Sequence, residues 1–149
     1  AFVEEVRGFF DGEIILSGAI TTGRSLRAAQ VMGADYVYMG TRFIPTHESR
    51  AQEAYKNMVV EASGSDIITS DAITGVKANW LRQRLIQGGY DPSNMPAAAD
   101  INFMKAAGDA KRWRDIWAAG QGVGAIHTRQ SIAELVEQLQ REYREALAL

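Results

Sequence analysis

The chain has 149 residues, 46% of them hydrophobic and 23% charged, and a formal net charge of −2. That is the material of one globular domain. With acids and bases interspersed, it carries no basic footprint for a nucleic acid, and no apolar run is long enough to span a membrane as a helix. The absence of cysteine excludes a disulfide framework, thiol catalysis and thiolate metal sites, and fits a cytoplasmic, reducing compartment.

Phe2, Val3, Val6, Phe9 and Phe10 recur at helical spacing and predict a helix over residues 2–10, turned by Asp11-Gly12. The chain opens on this segment at Ala1 with no charged leader or small-residue cleavage site, which reads as a cut through a larger protein and not as a signal peptide. Ile14, Ile15 and Leu16 form a short apolar run that ends at Gly18, and residues 36–39 form a second that ends at Gly40. Such runs suit parallel strands buried on both faces. Parallel neighbours need a crossover, and Leu26, Ala29, Val31 and Met32, between Gly23 and Gly33, supply one helix of the right length. The unit is β-α-β.

Downstream, a helix is expected to open within residues 46–49 and to carry Ala51, Ala54, Tyr55, Met58 and Val59 as far as Ser63-Gly64, with Glu48, Ser49 and Arg50 as its start. Residues 66–69 are a short strand or an extended loop. From Ala78, the stripe of Trp80, Leu81, Leu85 and Ile86 predicts a helix ending at Gly88-Gly89. Pro92, Pro96 and an alanine run make residues 90–100 irregular. Trp113, Ile116 and Trp117 suit a further helix that Gly120-Gln121-Gly122-Val123-Gly124 breaks, and Lys111-Arg112-Arg114 reads as a solvated face. The last helix opens with a capping box, Ser131 and Glu134, and lines Ile132, Leu135, Val136, Leu139, Tyr143, Ala146 and Leu147 on one face for packing against the body.

Chemistry concentrates at the two strand ends. The amides of Gly18, Ala19, Gly40 and Thr41 could converge there on one anion, because parallel α/β folds bind ligands at the carboxyl ends of their strands. Small residues let the main chain approach a phosphate. A lone glycine would ordinarily be a tight corner; two corners, one β-α unit apart, raise the case for a phosphate. His47 follows the second strand and could reach a substrate as a base, whereas His127 reads as a surface or supporting residue. The two histidines make no metal site. The Gly120 to Gly124 run is not a dinucleotide fingerprint, since no strand clearly precedes it.

Taken together, Ser17-Gly18-Ala19-Ile20, Ala28-Ala29, Gly33-Ala34-Asp35 and Met39-Gly40-Thr41-Arg42-Phe43, followed by Glu48-Ser49, resemble the last two barrel strands of the nitronate monooxygenase family, formerly called 2-nitropropane dioxygenases. Asn79-Trp80-Leu81-Arg82 and Trp117-Ala118-Ala119-Gly120-Gln121-Gly122-Val123-Gly124 are similar to further segments of it. The resemblance implies an α/β fold, the C-terminal portion of a TIM (β/α)8 barrel with closing helices, incomplete because eight β-α units need about 250 residues. The last two barrel strands and their crossover helix would occupy residues 1–45, and a rim insertion with closing helices 46–149.

The resemblance also implies FMN as cofactor and the FMN-dependent oxidation of alkyl nitronates with dioxygen. The flavin phosphate would rest on Gly18, Ala19, Gly40 and Thr41, with Met39 packing nearby. Arg42 would add positive charge there or pair with an acid behind the strand. The family usually has Gly-Gly where this chain has Gly18-Ala19; alanine keeps its N–H but restricts the dihedrals. The active-site histidine is implied to lie outside this chain, so no catalytic residue is assigned and the chain alone is not expected to turn over nitronate. Gln121 sits on a loop implied to fold over the flavin end, bonding either cofactor or backbone, and Thr74-Gly75 and Asn79 are placed on the same rim. Two rivals stand beside this reading. One is an enoyl reductase of fatty-acid synthesis, a flavoenzyme with the same type of ending at residues 39–43 that uses NAD(P)H and an acyl-carrier thioester. The other is an inactive half-barrel whose open strand edges pair with another chain, a homo-oligomer being one form.

Overall fold

The computed structural model describes residues 2–96 and 115–148. Helix α1 spans Phe2–Arg7, shorter than the expected 2–10. Gly8 ends it, donating its N–H to Glu4 O at 3.0 Å, and Phe9 and Phe10 follow with side chains 80% and 45% exposed. Arg7 then ties the helix to what comes next: Nη2 donates to Gly33 O at 2.7 Å and meets Asp35 Oδ2 at 2.6 Å. The amide of Ile14, and Arg7 after it, hold the Asp35 carboxyl below the ordinary carboxylate range.

The β-α-β unit is present. Strand β1, Ile15–Ser17, runs parallel to β2, Tyr36–Tyr38, in the register Ile15↔Tyr36, Leu16↔Val37 and Ser17↔Tyr38. Helix α2, Gly23–Val31, crosses between them. Thr22 caps it in a reciprocal pair with Ser25, whose side chain takes the place a glutamate holds in the usual box. The expectation of strands buried on both faces is corrected. Leu16 and Val37 pack with Val3, Ala29 and Ala34 on the α2 side, while Ile15, Tyr36 and Tyr38 are 64%, 55% and 66% exposed. Side chains alternate across a strand, and no described element covers the second face.

After β2 the chain makes a 3-10 turn at Thr41–Phe43, and Thr46 donates its hydroxyl to Phe43 O at 2.8 Å. This loop delays the next helix: α3 is Glu53–Glu61 and does not open within 46–49. Residues 66–69 resolve into β3, Ile67–Ser70, antiparallel to β4, Ala78–Leu81. The helix expected from Ala78 therefore starts only at Arg82, as α4, Arg82–Gln87. Leu81 and Leu85 lie four apart whether or not the residues before Arg82 are helical; pairing of Trp80 with Ile68 decides the matter.

Trp117 is likewise not helical. Leu81 N–H donates to Trp117 O at 3.0 Å and Ala119 N–H to Asn79 O at 3.3 Å, so 117–119 lies extended along β4. Trp113, the Lys111-Arg112-Arg114 cluster and residues 97–100 fall outside the described residues. Met58, Val59, Ile67, Leu81, Trp117 and Val123 form the main core with their neighbours. Among the described residues, no helix is long and apolar enough to cross a membrane.

Helix α5, Ile132–Leu147, has the predicted Ser131/Glu134 capping box, and the Glu48 carboxylate accepts the Ile132 N–H at 3.0 Å. Of its predicted apolar face, Leu135 is fully buried, Leu139, Tyr143 and Ala146 are half-buried, and Ile132, Val136 and Leu147 are exposed. The buried stripe meets α2 at Gly23. A Cβ there would stand 2.2 Å from Leu139 O and 2.4 Å from Tyr143 N, both backbone atoms that cannot yield without moving a helix. Gly23→Ala is expected to cost about 2–3 kcal/mol by overpacking this crossing, read as a lower urea midpoint; an unchanged midpoint would show that the helices do not meet this closely.

Candidate functional site

The two strand ends and a third segment enclose a cavity of about 200 Å3. From β1 come Gly18 and Ala19, whose φ angles of +101° and +55° turn the chain sharply after Ser17. From β2 come Gly40 and Thr41. The third wall is the 3-10 turn Gln121–Ala125 and the residue before it, through Gly120 and Gly122. Gly120 N–H donates to Thr41 Oγ1 at 2.8 Å, which fastens the turn to the end of β2. A Cβ on Gly122 would come within 2.8 Å of Thr21 Cγ2 and 3.0 Å of Ala19 O, so only glycine lets the turn come this close to the end of β1.

Four glycines and Ala19 are among the residues that line this cavity. Among the described residues, no hydrogen bond uses the amide N–H of Ala19, Gly40 or Thr41. Thr41 Oγ1 accepts from Gly120, which leaves its own hydrogen available to donate. Neither a carboxylate nor an imidazole lines the walls, and Tyr38 is the one titratable side chain among the described lining residues. A Cβ at Gly18 or Gly40 would meet nothing within 4 Å, so space lies open where side chains would otherwise stand. Such an array of free amides beside the Thr41 hydroxyl suits an anion.

Gly18, Ala19, Gly40 and Thr41 are thus brought together, but Met39 does not line the cavity. Arg42 turns away from it. The side chain is buried to 3% exposure and donates through Nη2 to Gln138 Oε1 at 3.2 Å, behind the strand. Burial pulls the guanidinium pKa down, and the nearby Glu142 carboxylate opposes that. Glu142 also accepts the Gly23 N–H at 2.8 Å and the Gln138 amide at 2.7 Å. Both strand-end loops are therefore fastened to α5 by one carboxylate-amide-guanidinium relay.

The remaining candidates lie elsewhere. His47 is exposed, with its N–H on Gln130 O at 3.1 Å, and does not line the cavity; His127 is exposed too. Gln121 is exposed and does not line it, although both neighbouring glycines do. Thr74 lines a separate, larger cavity, and Asn79 accepts the Thr69 hydroxyl at 2.6 Å. Glu48 caps α5, not the helix that follows it in sequence. No group of three or more metal-ligating side chains gathers among the described residues. Sequence reasoning missed Thr21 and Tyr38 as lining residues and missed Gln138 and Glu142 altogether. A Gly-x-Gly spacing at 120–122 was the available signal for the third wall.

The sequence model of the family described as Nitronate monooxygenase matches residues 2–142. The chain belongs to that family. A Staphylococcus haemolyticus protein named "Probable nitronate monooxygenase" is 27% identical over 137 residues, which cover 85% of this chain and 38% of that protein. The Staphylococcus saprophyticus protein of the same name is 34% identical over 73 residues, 49% of this chain and 21% of that protein. FabK from Thermotoga maritima superposes with a TM-score of 0.75 at 27% identity, covering 98% of this chain and 49% of that one. Nitroalkane oxidase from Streptomyces ansochromogenes gives 0.74 at 27% identity, covering 98% and 43%.

The chain thus spans less than half the length of these relatives. Its fold is α/β, the C-terminal portion of a TIM barrel, in a nitronate monooxygenase family of flavin-dependent oxidoreductases. At Ala19 this family member holds an alanine in the left-handed region, the one non-glycine residue with positive φ among those described. That conformation costs an L-residue about 1 kcal/mol or more, offset by about 0.5 kcal/mol through the freer unfolded state that glycine brings. Ala19→Gly should therefore raise stability by about 0.5 kcal/mol in a denaturant melt; a loss of stability would show that the Ala19 methyl group packs usefully.

Proposed function

We propose that the chain supplies the phosphate-holding end of an FMN-dependent enzyme that oxidises alkyl nitronates with dioxygen. The phosphate is taken by Gly18, Ala19, Gly40 and Thr41, with Met39 packing nearby. The observation that carries this reading is the set of free amides on Ala19, Gly40 and Thr41 around one small, glycine-walled cavity. Main-chain donors with no facing carboxylate suit a phosphate dianion, and the open space at Gly18 and Gly40 admits it. On this reading residues 1–45 hold the last two barrel strands and 46–149 the rim insertion and closing helices.

Bound flavin supplies the two-electron redox chemistry between nitronate and dioxygen. The chain's own residues do the rest. Ala19 presents a free amide from one side, Gly40 and Thr41 from the other, the Thr41 hydroxyl adds a further donor, and Gly18 leaves the space that the phosphate fills. The turn carrying Gly120 and Gly122 walls the phosphate from water, and the relay through Glu142 and Gln138 holds the loops in register before any ligand arrives. No proton-transfer group is assigned to these residues.

Binding of FMN and of riboflavin to the chain, followed by flavin fluorescence, tests the phosphate role. FMN is expected to bind at least about tenfold more tightly, in line with several charge-assisted hydrogen bonds. Gly40 has φ −102°, a conformation any L-residue can take, so Gly40→Asp places a carboxylate in the cavity without backbone strain. That variant should erase the preference for FMN while leaving riboflavin binding unchanged. Equal affinities in the parent chain would overturn the assignment.

A second reading, an enoyl-reductase-like flavoenzyme using NAD(P)H, is favoured by the ending Met39-Gly40-Thr41-Arg42-Phe43. The fold does not choose, since FabK and the nitroalkane oxidase superpose equally well. Anaerobic addition of NADPH to the flavin-loaded protein decides between the two: unchanged flavin absorbance is expected, and rapid bleaching would replace the nitronate reading with the reductase one.

A further inference from the structure

A larger cavity, of about 670 Å3, opens between the start of α3, the β3–β4 loop and residues 116–118, and it shares no lining residue with the glycine-walled one. Its size is that of a pocket for a drug-sized molecule. Aromatic rings form much of its wall. Tyr55 stacks on Trp117 with centroids 5.0 Å apart and planes 17° from parallel, and Trp80, 5% exposed, stands beside them.

The Tyr55 and Thr74 hydroxyl and Trp80 indole donors on these walls are already engaged. The Tyr55 hydroxyl donates to Ala118 O, Trp80 Nε1–H to Ser70 O at 3.0 Å, and the Thr74 hydroxyl to Val76 O at 2.9 Å. Burial pushes the Tyr55 phenol up to about 12, so the ring stays neutral. Trp117, 7% exposed, also carries the Arg84 guanidinium over its ring at 4.4 Å, so a guest meets the half-buried Tyr55 ring and the apolar side chains around it. Charge enters only from Arg50 and Lys77, both exposed and neither in an ion pair among the described residues. Among the described lining residues there is no carboxylate to neutralise them.

We propose that this cavity binds a planar aromatic monoanion, its ring against Tyr55 and its carboxylate toward Arg50 and Lys77. Stacking on the Tyr55 ring, itself held in place by Trp117, selects the flat body. Two unpaired cations at an otherwise apolar mouth select the anionic end. The assignment stands on the walls of this cavity alone and does not depend on flavin binding.

The test uses the quenching of tryptophan fluorescence in the full chain by 2-naphthoate and by its uncharged analogue 2-naphthalenemethanol. Saturable quenching is expected for both, with the anion bound about five- to tenfold more tightly, as two partly screened ion pairs allow. The double variant Arg50→Gln, Lys77→Gln changes only exposed side chains and should bring the anion down to the affinity of the alcohol. Gly40→Asp, which alters the other cavity, should leave both affinities unchanged. Failure of 2-naphthoate to saturate at millimolar concentration, equal affinities in the parent chain, an anion preference that survives the double variant, or loss of binding in Gly40→Asp would each overturn the proposal.

Discussion

Everything at the strand ends depends on how closely α5 crosses α2. At Gly23 the two helices meet backbone to backbone, with no room for even a methyl group. That closeness lets the Glu142 carboxylate reach the first amide of α2 at 2.8 Å, where a negative charge also complements the helix dipole. From the same carboxylate the relay continues through Gln138 to Arg42, just beyond Gly40 and Thr41. One acidic side chain thus sets the position of the loops after both strands. Arg42, buried with its Nε unpartnered, is held as a structural cation in this relay and contributes no charge to the cavity in front of the strand.

The glycine-walled cavity presents free donors with little help from side chains. Its free donors are amides, four glycines and Ala19 stand among its walls, and the Thr41 hydroxyl is already oriented by Gly120. Such a site is stiff, because its donors belong to strand ends and a helical turn and not to flexible side chains. It also tolerates sequence change unevenly. Gly122 has no freedom, pressed against Ala19 and Thr21, whereas Gly40 faces open space in an ordinary conformation. Ala19 stands between these cases, keeping its amide at the cost of a left-handed backbone.

The β-α-β unit was legible in the sequence because its signals are local: two apolar runs, each closed by glycine, around one helical period. The capping box of α5 was legible for the same reason. What escaped were features set by distant partners. Residues 78–81 read as the start of a helix, and only pairing with Ile67–Ser70 makes them a strand, and Trp117 is extended because its carbonyl accepts from Leu81. The late start of α3 follows from a loop built on Phe43 and Thr46 that has no periodic signature. At the site, the glycines and Thr41 were named correctly as neighbours. The direction of Arg42 was left open because it is decided by Gln138, which lies 96 residues further along.

That long reach also orders events in time. The amide of Gly23 and the carboxylate of Glu142 are 119 residues apart, so a chain leaving the ribosome from its N-terminus presents both strand-end loops long before the residues that fix them exist. Contacts of such separation form slowly, since a large loop must close before they reward it. The strands can pair early, but the cavity between them acquires its final geometry only when α5 docks, and loading of any ligand there is a late step in maturation.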